Sequence, residues 1–164
     1  MISKGLLAEF DHEMATTRTL LERVPEGQAT FRPHPKSFDL ASLAVHLANI
    51  PMWAVNTMRE TELEVNPPEG FPTRRFESTE KLLEMFDTNV KNARDAIAAA
   101  ADEDFRVPWS LKNRGNVTFT LPRIAVLRGF VMNHHIHHRG QLSVYLRMCD
   151  VPLPSIYGPT ADMA

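Results

Sequence analysis

The chain contains one cysteine, Cys149, so no disulfide can form within it and a disulfide-stapled scaffold is excluded. It has no stretch of about 18 apolar residues free of charges and helix breakers, so no membrane-spanning helix is expected. Its first helix-like segment carries Glu9 and Asp11, which interrupt the apolar run that a secretory leader requires. An excess of positive charge is also missing: 18 Lys and Arg stand against 20 Asp and Glu, a formal net charge of -2. Without a basic field to collect phosphates, nucleic acid is not an expected partner. Internal repeats and low-complexity tracts are absent too. These absences lead to the expectation of a cytoplasmic protein. At 164 residues and 43% apolar content the chain is the size of one domain, 1–164, with enough apolar mass for a core.

What is present is helical periodicity, in four long segments separated by stretches that hold most of the twelve prolines. The fold class expected is all-α, a four-helix bundle. The first helix is predicted over Ser3–Val24, with Leu7, Phe10, Met14, Thr17, Leu21 and Val24 on one seam and Pro25 and Gly27 ending it. The second starts at Asp39 as N-cap, carries Leu43, His46, Ile50, Trp53 and Thr57 along its seam, and is expected to kink near Pro51. The third opens at Ser78 and places Leu82, Phe86, Val90, Ala93 and Ile97 on one face. The fourth begins at Pro122 and carries Ile124, Leu127, Val131, His134, His138, Gln141, Tyr145 and Met148 along its predicted seam. Between the third and fourth helices, Phe105–Trp109 and Val117–Phe119 flank an Asn113-Arg114-Gly115-Asn116 turn compatible with a short β-hairpin. Residues 61–77 and the proline-rich tail after Cys149 read as irregular loops, of the kind that can wall a pocket at the end of a bundle.

Chemistry concentrates in the run Asn133-His134-His135-Ile136-His137-His138-Arg139-Gly140-Gln141, where four of five consecutive residues are histidine. Residues four apart on a helix project from one face about a turn apart, so His134 and His138 can aim at one point. A catalytic metal site usually takes three protein ligands and keeps an open position. His46, at a seam position of the second helix, is the best third ligand, ahead of His12 and His34. Two readings of His46 stand side by side: a core histidine satisfied by a backbone carbonyl, or a ligand; the pair on a second buried seam favours the ligand. His135 and His137 diverge from the seam and read as partly exposed or as supporting donors. Gln141, Thr17 and Thr57 are polar seam residues that can bond to ligands or simply between helices. Gly140 implies a close approach of another backbone or ligand. Trp53, Trp109 and the methionines read as core filling, and Cys149 as inert. Three imidazoles suit zinc or nickel best, with iron also compatible.

Asn133-His134-x-x-x-His138-Arg139-Gly140-Gln141, together with His46 in Leu43-Ala44-Val45-His46-Leu47 and the tail Pro154-Ser155-Ile156-Tyr157-Gly158-Pro159, resembles the DinB-like superfamily over nearly the whole chain. The resemblance implies an up-down-down-up four-helix bundle, commonly a homodimer, holding a divalent metal on His46, His134 and His138. It also implies a metal-dependent enzyme acting on a small-molecule substrate, either an S-transferase using a low-molecular-weight thiol or a hydrolase. A non-enzymatic helical interaction module, in which the histidines only tune packing or pH response, is the alternative from another class.

Overall fold

The computed structural model describes residues 1–68, 70 and 75–163. Helix α1 spans Ile2–Leu21, α2 Leu40–Asn49, α3 Pro51–Arg59, α4 Thr79–Ala98, α5 Arg123–Val126 and α6 His134–Met148. A π-helical turn, Leu127–Asn133, joins α5 to α6. With α2 and α3 counted as one kinked rod, and α5 through α6 as another, this is the predicted four-helix bundle. Rods one and two each pack on rods three and four. Their apolar stripes close one core around Phe10, Leu43, Leu47, Phe86 and Leu142.

Local chemistry sets the boundaries. The Asp39 carboxylate accepts from the Ser42 amide at 2.7 Å and caps α2, and the Ser78 hydroxyl does the same for Lys81 at 3.1 Å on α4. Pro51 stands at the first position of α3, where its missing N–H costs nothing, so the expected kink falls at Ile50. On α4 the half-buried Val90 gives way to Asn89, whose amide donates to the Ala48 carbonyl at 3.0 Å and ties α4 to α2.

A three-stranded sheet, β1-β2-β3, accompanies the helices. Strands β2, Pro108–Asn113, and β3, Asn116–Pro122, form the hairpin across Arg114 and Gly115. Both central residues have positive φ, 51° and 78°, as a two-residue type I′ turn requires. The strands run later than the predicted 105–109, because Phe105 lies in a 3₁₀ turn, Asp104–Arg106, and is fully buried. The segment read as a loop over 61–77 contains a strand, β1 at Glu62–Glu64, paired parallel to β2. The Glu64 carboxylate accepts from the amides of Asn66, Arg114 and Gly115, at 2.8, 2.9 and 2.8 Å, which fixes this short strand to the hairpin turn. Residues 65–68, 70 and 75–77 are irregular as read, and 69 and 71–74 lie outside the described residues.

The fourth rod departs from its predicted seam. Leu127 and Val131 are buried as expected, but beyond the π turn the deepest positions are His135, Arg139, Leu142, Leu146 and Cys149. A π turn takes more residues than an α turn, so the buried stripe arrives one residue later than an unbroken seam predicts. Gln141 and Met148 are therefore exposed, and His135, expected at the edge of the seam, is 0% exposed. Gly140 is exposed too, and a Cβ built there meets nothing within 4 Å, so the expected close approach is not found among the described residues.

Arg139, 1% exposed, sits against Glu13 of α1 with Nη2 to Oε2 at 2.6 Å. Its Nη1 donates to the Glu13 carbonyl at 3.1 Å, and the Tyr157 hydroxyl donates to the same carboxylate at 2.8 Å. Removing one partner strands a buried charge, a cost of about 3–5 kcal/mol. Arg139→Met is therefore expected to lower unfolding free energy by about that amount, against about 1 kcal/mol for Tyr157→Phe. Urea titration compares the two, and equal small losses would contradict the assignment.

Candidate metal centre

The kinked second rod and the fourth rod bring three histidine rings to one point. The ring nitrogens of His46, His134 and His138 all lie within 4.8 Å of one another. His46 Nε2 is 3.4 Å from His134 Nε2, and His134 Nε2 is 2.7 Å from His138 Nε2. The helical spacing of the pair and the α2 seam thus converge as the sequence predicts. His12 and His137 are exposed, and exposed His34 accepts from the Lys36 amide at 3.2 Å. None of the three joins the cluster.

The donor set fits a divalent cation. The Gln141 amide oxygen can only accept, so its 2.7 Å contact with His138 Nδ1 puts the proton on Nδ1 and leaves Nε2 as a bare lone pair. Burial pushes the His46 ring down to about 4, with neighbouring His138 and His134 adding to the effect. Burial likewise lowers His134, against the pull of the Phe130 carbonyl, and His138, against the bond to Gln141. All three rings are neutral near pH 7, the form that coordinates. Ring nitrogens 2.7 and 3.4 Å apart suit either a shared proton or a cation between them, and tetrahedral zinc at about 2.0–2.1 Å from each nitrogen would separate ligands by roughly 3.4 Å.

The surround is aromatic. Trp53, read from the sequence as core, instead walls the site: its ring lies 5.2 Å from that of His134 and 5.7 Å from that of His46. Phe130, on the π turn, stacks on Trp53 at 4.7 Å with an 11° interplanar angle. Phe38 adds a third ring, 5.9 Å from His46. Trp109, by contrast, is fully buried in the small core under the sheet, as core filling should be, and burial raises the Cys149 thiol, consistent with inertness.

Behind the centre lies a buried polar layer, in which the helix-to-helix bond read for Thr17 is found and the Glu13–Arg139 pair is one that sequence reasoning missed. The Thr17 hydroxyl donates to the Glu13 carbonyl at 2.9 Å. It therefore accepts from His135 Nε2 at 2.8 Å, which makes His135 the Nε2–H tautomer. Burial drives His135 down to about 3, with Arg139 the next cause. The signal available was a charged residue three positions from Phe10 on α1 and another four from His135. Single charges at apolar spacing are weak pointers until a partner is known.

The chain belongs to the DinB family, whose profile matches residues 1–163. Two solved structures share its fold. A DinB-like protein from Bacillus subtilis has 18% identity and a TM-score of 0.71, covering 95% of this chain and 99% of its own. A DinB-like protein from Bacillus cereus has 17% identity and a TM-score of 0.69, covering 94% and 97%. No match is found among curated proteins. Among the described residues, no helix is long and apolar enough to cross a membrane.

The depressed histidines set a pH dependence. His46 and His135 bind protons less readily folded than unfolded, where the ordinary value is 6.5. They therefore add stability above pH 6.5 that is lost progressively as pH falls toward about 4 and about 3 respectively. For chelator-treated protein the urea midpoint should fall as pH is lowered below 6.5, before carboxylates begin to protonate. A flat midpoint down to pH 5 would count against buried neutral rings.

Proposed function

We propose that this protein is a metal-dependent enzyme in which His46, His134 and His138 hold a divalent ion, zinc or nickel with iron as third choice. Its reaction is the activation of a low-molecular-weight thiol for S-transfer to a small electrophile. The convergence of three neutral ring nitrogens within 4.8 Å, with no carboxylate among them, is the observation that carries this reading. When bound, such an ion supplies Lewis acidity, holding a thiol or water in its deprotonated, nucleophilic form near neutral pH.

The chain's own residues do the rest. Neutral imidazoles add no negative charge, so the ion keeps its full pull on an incoming thiol. Gln141 holds the His138 ring in orientation and tautomer. Trp53, Phe38 and Phe130 give the centre an apolar wall, a less polar surround in which electrostatic interactions are stronger. A cytoplasmic location follows from the thiol, which is kept reduced there. We also read the protein as a homodimer, with exposed Val144 and Met148, a turn apart on α6, as the apolar face to be covered.

Elemental analysis of untagged protein tests the centre directly. Wild type should carry a stoichiometric divalent ion, His46→Ala and His138→Ala should carry almost none, and Gln141→Leu should bind about 10- to 100-fold more weakly. Wild type that neither holds nor takes up an ion would leave a helical interaction module. Turnover of an electrophile only when thiol is added would support transfer; ester or amide turnover without thiol would mark a hydrolase instead.

A further inference from the structure

A cleft of about 780 Å³ opens beside His46, between the outer face of α2–α3 and the strand β1. Trp53 stands midway along it, with Val45, Met52 and Val55 on the helical side and Leu63 and Val65 opposite. The cleft can take a molecule much larger than a metal-bound water, and its wall is chiefly apolar.

Three features narrow what that molecule is. Trp53 is a held flat surface, because Phe130 stacks on it from the π turn and the His134 ring lies 5.2 Å from it. Asn49 and Asn56 both line the cleft, and the side-chain oxygen of each is buried without a partner among the described residues, so a ligand bonds to it only by drawing the amide round into the cleft. They lie seven residues apart on successive helices, about 10 Å along the rod. An unspent amide in a largely apolar wall is costly unless a ligand or water completes its bonds. Among the described residues, the charges lining the cleft are Arg59 and Glu60, both exposed, adjacent in sequence and opposite in sign. They leave no net field to select an ion, and no buried charge waits for a counter-charge there.

We infer that the cleft binds a neutral, largely apolar small molecule with a flat portion against Trp53 and an amide-like group, donor and acceptor together, bonded to Asn49 or Asn56. An amide satisfies a side-chain amide in both directions, whereas a hydrocarbon leaves it unpaired and a carboxylate offers no donor and must shed its water without a matching charge. This deepens the reading above by naming the class of its electrophile, which would enter along Trp53 toward the three histidines.

Three probes on one ring system separate the cases: N-(2-naphthyl)acetamide, 2-ethylnaphthalene and 2-naphthoate, measured by calorimetry on the full chain after chelator treatment. The acetamide is expected to bind about tenfold more tightly than either analogue, the scale of one hydrogen bond to a buried neutral group. Asn49→Leu with Asn56→Leu should erase its advantage over the hydrocarbon while leaving hydrocarbon binding intact, and Trp53→Ala should weaken acetamide and hydrocarbon alike. Preferred binding of the carboxylate, equal binding of acetamide and hydrocarbon, or no saturable binding would each overturn the inference. Should the leucine pair fail to fold, as judged by circular dichroism, Asn49→Asp and Asn56→Asp are measured singly, and undiminished preference for the acetamide in both would also overturn it. Because binding is read without metal, its failure leaves the metal reading standing, and an ion-free protein that still selects the acetamide sinks only the metal reading.

Discussion

The rotation of α6 about its own axis is the constraint on which the site depends. Arg139 fixes it: a guanidinium held within the bundle by Glu13 of α1 and by Tyr157 of the tail cannot turn outward without stranding a buried carboxylate. One residue earlier, about 100° round the helix, His138 then faces α2 and His46. The polar layer and the histidine cluster are two faces of one helix, locked by one ion pair.

The π turn sets that rotation from the other end. By taking extra residues in Leu127–Asn133 it advances the helix so that His135 enters the core while His134 and His138 converge on the second rod. It also presents Phe130 to Trp53 and its carbonyl to the His134 ring. Helical irregularities of this kind are costly in isolation and recur at functional sites. Here the turn aims His134 and His138 at His46.

The small sheet serves the same region from outside. Glu64 pins β1 to the hairpin turn, and the Leu63 and Val65 side chains close the cleft that starts at His46. The metal-binding geometry and the cleft thus rest on different parts of the chain: bundle rods for the first, a rod and a strand for the second. A fold built this way can keep one while varying the other.

Helix number, the N-caps at Asp39 and Ser78, the break at Pro51 and the type I′ turn at Arg114-Gly115 were legible in the sequence because each depends on neighbours within a few residues. The histidine trio was legible for the same reason: a spacing of four on one helix and one polar residue on the seam of another. The burial of His135, the Glu13–Arg139 pair and the place of Trp53 beside the site were decided only in three dimensions. Each depends on partners far away in sequence, and on a π turn that shifts a register the local pattern reads as continuous. Periodicity records which residues share a face; what that face meets is set by packing.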